Sequence, residues 1–228
     1  MKQKIEDMIA EALVREDRER KVGEYYASEM PFCIRRNYYL YKKPKKFPLG
    51  TLKIFASGTL VHDWFAEKVF SKSETVETHE AEGSLVYEED GWQIRGRFDN
   101  LIKMKLDGKV VVIEIKSTMN NRFVKEPKNH HKEQLNFYLY KLGMESGYLL
   151  YVDRRNLSFK VYEVKFDKKM LEETLVKARI LHKALLTSIR PSAEAKLSVT
   201  NKWQCNYCLY RQECVFDEEK QKFAKDSM

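Results

Sequence analysis

Apolar residues recur at two different periods along this chain, and the periods sort it into helices and strands. Over 4–20, Ile5, Met8, Ile9, Ala12 and Leu13 form a stripe at helical spacing, with charged residues opposite. Residues 34–40 read as a short helix. Leu60, Val61, Trp64, Phe65 and Val69 predict another over 57–70. The middle of the chain is strand-rich. Residues 76–87 and 92–106 read as strands separated by Glu88-Glu89-Asp90-Gly91, and Asp107-Gly108 predicts a tight turn into a strand over 109–117. A helix follows at about 130–143, with Gly143 as its stop. Segments 147–153 and 157–166 predict a second hairpin around Arg154-Arg155-Asn156, and a long helix spans about 168–189 before Pro191. Two hairpins among helices predict the α/β class: a mixed central β-sheet flanked by helices, in a single domain over 1–228 with its core at about 50–190.

The strand at 109–117 breaks its own apolar pattern. Within Val110-Val111-Val112-Ile113 and Ile115 stand Glu114 and Lys116, two residues apart and therefore on one face. Charges on an apolar strand are costly unless paired, metal-bound or at an edge. Asp99, in Gly96-Arg97-Phe98-Asp99 on the preceding strand, supplies a second carboxylate and completes a D-x14-E-x-K pattern. Asp99 and Glu114 can hold a hard divalent cation, Mg2+ or Mn2+, with the backbone carbonyl of Ile115 as a further ligand. Lys116 can orient a water or offset developing charge. This is the minimal equipment for metal-assisted phosphodiester hydrolysis. His62 lies on the helix 57–70, and Gln134 and Tyr138 share a helix face at i and i+4. Taken alone, these three read as a packed histidine and an ordinary helix pair.

Charge narrows the partner. The 228 residues carry a net charge of +8, which favours polyanions and chiefly nucleic acid. Arg35-Arg36 and the run Lys42-Lys43-Pro44-Lys45-Lys46 are candidate phosphate contacts, and Tyr38, Tyr39 and Tyr41 beside them are candidate stacking rings, of which at least one must instead be core. Arg95, Arg97 and Lys103 lie along the strand of Asp99 and could face the same groove. The first residues have no apolar signal core, and no apolar run approaches the ~18 residues of a membrane span. The expectation is an intracellular, cytoplasmic protein whose cysteines do not form structural disulfides.

Four cysteines are present: Cys205-x2-Cys208-x5-Cys214 near the C-terminus and Cys33 far upstream. They make one complete four-thiolate set if the ends of the chain meet. Both zinc and an iron–sulfur cluster accept four cysteines, and the spacing leaves the two open. The single C-x2-C knuckle fits zinc less well.

The ordered set Asp99, Glu114-x-Lys116 and Gln134-Leu-Asn-Phe-Tyr138, with His62 upstream, resembles the PD-(D/E)-x-K nuclease superfamily in its RecB-like branch. The resemblance implies a restriction-endonuclease-like core. It implies that His62, Asp99 and Glu114 bind metal, that Lys116 is catalytic, and that Gln134 and Tyr138 lie near the site and the DNA. One cysteine before the core and three after it resembles iron–sulfur nucleases of that branch. Ser28-x4-Cys33-x-Arg35-Arg36 is most similar to the CRISPR-associated Cas-four exonuclease family. That likeness implies a [4Fe–4S] cluster on Cys33, Cys205, Cys208 and Cys214, in a module formed by segments at about 25–45 and 200–216. It further implies exonuclease action on single-stranded DNA during CRISPR adaptation, beside the Cas-one and Cas-two integrase proteins. The alternatives are a stand-alone repair or recombination nuclease, a zinc-stabilised nuclease, and a DNA-binding subunit with a relic nuclease fold.

Overall fold

The computed structural model describes residues 2–14 and 20–217. Its elements run α1 (Lys2–Leu13), β1 (Glu24–Tyr26), α2 (Ile34–Lys42), α3 (Leu49–Trp64), β2 (Val76–Ala81), β3 (Ser84–Glu89), β4 (Trp92–Arg97), β5 (Asn100–Met104), β6 (Val110–Thr118), α4 (Asn129–Leu142), β7 (Ser146–Asp153), β8 (Phe159–Lys165), α5 (Lys168–Thr187) and α6 (Glu194–Leu197). A π-helical turn, Phe65–Phe70, continues α3, and 3-10 turns occupy Asn121–Phe123 and Lys202–Tyr207. Residues 211–217 are helical.

The expected mixed sheet is present as five strands in the order β2-β5-β6-β7-β8, with β6 and β7 parallel and the other pairs antiparallel. A smaller sheet has the order β1-β4-β3. The two sheets share one bent hairpin, and this corrects the expectation of two unbroken strands over 76–87 and 92–106. The first is divided into β2 and β3, the second into β4 and β5. The ladder continues through the corner: the Phe98 amide donates to the Gly83 carbonyl and the Glu82 amide to the Asp99 carbonyl, both at 3.0 Å. The direction changes because Glu82 adopts a left-handed φ of 59°. Gly83 has no side chain to resist the fold, since a Cβ there would lie 2.0 Å from the Phe98 ring. Asp99 sits at this corner, not inside a strand.

The helix predicted over 57–70 begins earlier, at Leu49, directly after Pro48. Its first turns expose Leu49, Ile54 and Phe55, so no clean apolar stripe marks them. The predicted helix 4–20 is observed as α1, while 15–19 lie outside the described residues. None of the α1 residues is buried. The helix at 130–143 is α4, ending at Gly143 in the left-handed conformation, and the second hairpin and long helix are β7–β8 and α5.

Two apolar layers enclose the large sheet. On one face, Leu135 and Leu139 of α4 and Leu175 and Leu181 of α5 pack on Val112, Leu149 and Tyr151. On the other, Val61 of α3 and Phe65 beyond it pack on Ile115, Leu150 and Val152. Each such buried side chain contributes roughly 1.5–3 kcal/mol, which fixes both helix layers against β6. Tyr38 and Tyr39 belong to the first layer, so they are core and not stacking rings for bases.

Candidate active site

The site opens where β5 leaves β6. Their pairing covers Lys103↔Val110 to Asn100↔Ile113 and then stops, because the chain turns the corner at Asp99. From Glu114 onward that flank of β6 lacks its β5 neighbour, and the Asp99 side chain takes the vacated position. Its Oδ2 accepts the Ile115 amide at 2.6 Å. The other Asp99 oxygen, Oδ1, lies 3.2 Å from Nδ1 of His62, on the last turn of α3. Burial opposes a charge on His62, yet the hydrogen bond and charge of Asp99 outweigh it and raise the histidine above its ordinary pKa.

On the opposite face, α4 completes the site. Lys116 Nζ donates to Glu114 Oε1 at 2.7 Å and to Gln134 Oε1 at 2.8 Å. The Gln134 amide nitrogen donates to Glu114 Oε1 and to the Tyr138 hydroxyl, each at 2.8 Å. The six predicted side chains therefore form two bonded sets, His62 with Asp99 and Glu114 with Lys116, Gln134 and Tyr138, joined through the backbone amide of Ile115. Ile115 lies between the two charged strand residues, with its side chain in the α3 layer and its amide bound to Asp99. Gly96 of β4 lets α4 approach this closely, since a Cβ there would lie 2.6 Å from the Tyr138 ring.

Glu114 carries the site's electrostatic tension. It is 2% exposed, and its Oε2 has no hydrogen-bond partner. Burial first, and then the charge of Asp99, push its pKa up to about 7 against the opposing pull of Lys116 and His62. A buried carboxylate with an idle oxygen next to a second carboxylate is the donor set a hard divalent cation satisfies, so the residues fit Mg2+ or Mn2+. Burial also holds Tyr138 well above an ordinary tyrosine, so it stays a neutral phenol.

The sequence reading missed Glu82. Among the described residues, His62, Glu82 and Asp99 are the His, Cys, Asp and Glu side chains that bring three ligand atoms within 4.8 Å of one another. Glu114 is outside that trio, its Oε1 drawn to Lys116 and Gln134. Arg97 lies beside Glu82, whereas Arg95 pairs with Glu24 and Lys103 with Glu77.

The four cysteines converge from opposite ends of the chain. Cys33, Cys205, Cys208 and Cys214 all line one cavity of about 210 Å³, with Arg35, Arg36, Tyr39, Gln204 and Tyr210. Arg35 is buried beside the cysteines, 3.5 Å from Cys214 Sγ, which corrects its reading as a phosphate contact; Arg36 lines the same cavity and bonds the Asn37 side chain. The module is also held by polar contacts. Gln204 Oε1 accepts the Cys33 amide at 2.8 Å, Glu194 Oε1 accepts the Ile34 amide at 2.7 Å, and the Tyr210 hydroxyl donates to the Lys43 carbonyl at 2.9 Å. Lys45, from the basic loop, pairs with Glu213. Burial, and then Glu194, push the Cys33 thiol up to about 11.

Comparison with known proteins agrees with this geometry. The family model of the PD-(D/E)XK nuclease superfamily matches residues 6–215. A CRISPR-associated exonuclease Cas4 from Saccharolobus solfataricus is 28% identical over 123 residues, 54% of this chain and 52% of that protein. The alignment thus spans about half the length of that relative. Among solved structures, that of SSO0001 covers 92% of this chain and 95% of its own, with a TM-score of 0.61 and 21% identity. An alkaline exonuclease from Laribacter hongkongensis covers 74% of this chain and 90% of its own, with a TM-score of 0.50 and 13% identity. At these identities the two structures speak for the fold alone. With the corner that sets Asp99 against β6, the Glu114-x-Lys116 strand and a family match across nearly the whole length, the chain belongs to the PD-(D/E)XK nuclease superfamily.

Proposed function

We propose that this protein is a divalent-metal-dependent DNA nuclease that hydrolyses phosphodiester bonds, acting as an exonuclease on single-stranded DNA. The observation that carries this reading is the two bonded sets, His62 with Asp99 and Glu114 with Lys116, Gln134 and Tyr138, joined through the Ile115 amide, with a buried Glu114 oxygen left idle. Asp99, Glu114 and His62, with the Ile115 carbonyl, would hold Mg2+ or Mn2+. When bound there, the cation supplies Lewis-acid polarisation of the phosphate and lowers the pKa of the attacking water. Lys116, fixed between Glu114 and Gln134, places a positive charge where negative charge develops in the transition state. Gln134 sets the position of Lys116, and Tyr138 sets that of Gln134. The net charge of +8 favours the polyanionic substrate.

The cysteine module fits a [4Fe–4S] cluster better than zinc. All four cysteines line one cavity, but no three of their sulfurs come within 4.8 Å of one another. Tetrahedral zinc, with Zn–S bonds of about 2.3 Å, needs its sulfurs roughly 3.8 Å apart. Arg35 and Arg36 beside the sulfurs offset the charge of four thiolates. The likeness to a CRISPR-associated exonuclease supports a CRISPR setting; the role proposed there is processing prespacer DNA in CRISPR adaptation, beside the Cas-one and Cas-two integrase proteins in the cytoplasm. Among the described residues no helix is long and apolar enough to cross a membrane.

The test is cleavage of end-labelled single-stranded and duplex DNA by anaerobically purified protein, with Mn2+, Mg2+ or EDTA, beside Glu114→Ala. Cleavage of the single strand that requires both metal and Glu114 is expected. Absence of cleavage with the cluster intact would overturn the reading of an independent nuclease.

A further inference from the structure

Glu82 is the acidic side chain at this site to which the chemistry above gives no task. It stands at the hairpin corner directly across from Asp99, and its amide donates to the Asp99 carbonyl at 3.0 Å. Its carboxylate reaches the same point as His62 and Asp99, with one ligand atom of each within 4.8 Å of the others. Glu114, whose buried Oε2 has no hydrogen-bond partner, lies outside this trio, two residues from Lys116 on the neighbouring strand β6. The carboxylate oxygens suit Mn2+ and Mg2+, and of the two the imidazole favours the softer Mn2+.

Arg97 now occupies Glu82. Its Nε lies 2.5 Å from Glu82 Oε2, and the two side chains are 65% and 41% exposed. Exposed pairs of this kind are weak. A doubly charged cation that also gains His62 and Asp99 competes well against a single guanidinium. Displaced from Glu82, Arg97 would be a free cation at the mouth of the site, where a nucleic-acid phosphate arrives.

We infer that Glu82 is a further carboxylate ligand of the divalent cation at His62 and Asp99, and that Arg97 shields it in the metal-free protein. This rests on the nuclease reading of the site. The experiment is isothermal titration of Mn2+ alone, without DNA, into the full chain purified anaerobically, for the wild type and for Glu82→Gln, Arg97→Gln and Asp99→Ala. Melting without metal is recorded beside each. Asp99→Ala should abolish binding. Glu82→Gln should weaken it about tenfold with no change in metal-free melting. Arg97→Gln, which leaves Glu82 in place, should tighten it. Wild-type affinity in Glu82→Gln, with binding lost in Asp99→Ala, would overturn the inference and leave the nuclease reading intact. Unchanged or weaker binding in Arg97→Gln would refute the shielding. A wild type that takes up no Mn2+ would sink both the inference and the reading it rests on.

Discussion

Replacing Gln134 by leucine tests how Lys116 is held. The Gln134 amide makes three hydrogen bonds: it accepts from Lys116 and donates to Glu114 and to Tyr138, each at 2.8 Å. The residue is buried, so water cannot take over. Two of the three partners are charged, and such bonds contribute about 1.5–3 kcal/mol each, with about 1 kcal/mol for the neutral one. Leucine fills nearly the same volume and recovers part of this through apolar burial. Lys116 also keeps Glu114, at 2.7 Å. The net loss should be about 3 kcal/mol, which for a chain of this size lowers the melting temperature by roughly 6–12 °C. Lys116 then loses one of its two anchors, and single-turnover cleavage should fall about 10–100-fold, as when the group orienting a functional residue is removed. Differential scanning calorimetry and single-turnover cleavage under saturating Mn2+ read the two effects separately. A melting shift below about 2 °C together with wild-type cleavage would refute the idea that α4 positions the strand pair.

Three further outcomes follow from other parts of the structure. Gly96→Ala drives a methyl to 2.6 Å from the buried Tyr138 ring; overpacking of this kind costs roughly 1–3 kcal/mol, so urea unfolding should shift while Gly50→Ala, whose Cβ meets nothing within 4 Å, should not share that clash. Cys208→Ser should abolish the visible absorption of the anaerobic protein; a colourless wild type with stoichiometric zinc, whose d shell is full, would replace the cluster reading by the zinc one. Arg179 binds Glu89 through two hydrogen bonds at 2.6 and 2.7 Å, and with Tyr87 it holds the Glu89 carboxyl down to about 2 from 4.5. A depressed carboxyl contributes stability above its unfolded value that disappears as pH falls through the folded one. Glu89→Gln should therefore lower the urea midpoint at pH 7, with most of the deficit gone near pH 2 and the rest gone below it, and with cleavage unaffected; an equal deficit at both pH values would assign the loss to packing.

The strand chemistry is legible in the sequence because charge interrupts an apolar run at period two, where Glu114 and Lys116 are costly unless paired, metal-bound or at an edge. The cysteines are legible as a complete set, although spacing alone cannot say that all four line one cavity. That juxtaposition also explains why Arg35 and Arg36 mislead: their charge reads as nucleic-acid contact until a set of thiols is placed beside it. The corner at 82–83 and 98–99 is the feature the sequence hides. Alternation runs through it undisturbed, because the cross-strand hydrogen bonds are kept and one dihedral, φ at Glu82, changes the direction. Yet the position of Glu82 follows from the turn at Asp90-Gly91. Counting outward one residue at a time on each strand pairs Glu89 with Trp92 and Ser84 with Arg97, and so sets Glu82 across from Asp99. What that count lacks is the side. In a flat hairpin Arg97 and Asp99 share one face with Glu82, and the row reads as an exposed ion-pair ladder. Folding at Gly83 carries Asp99 onto β6 and leaves Arg97 on the outside, so Glu82 and Asp99 come together beside His62 while Arg97 pairs with Glu82 from the solvent side.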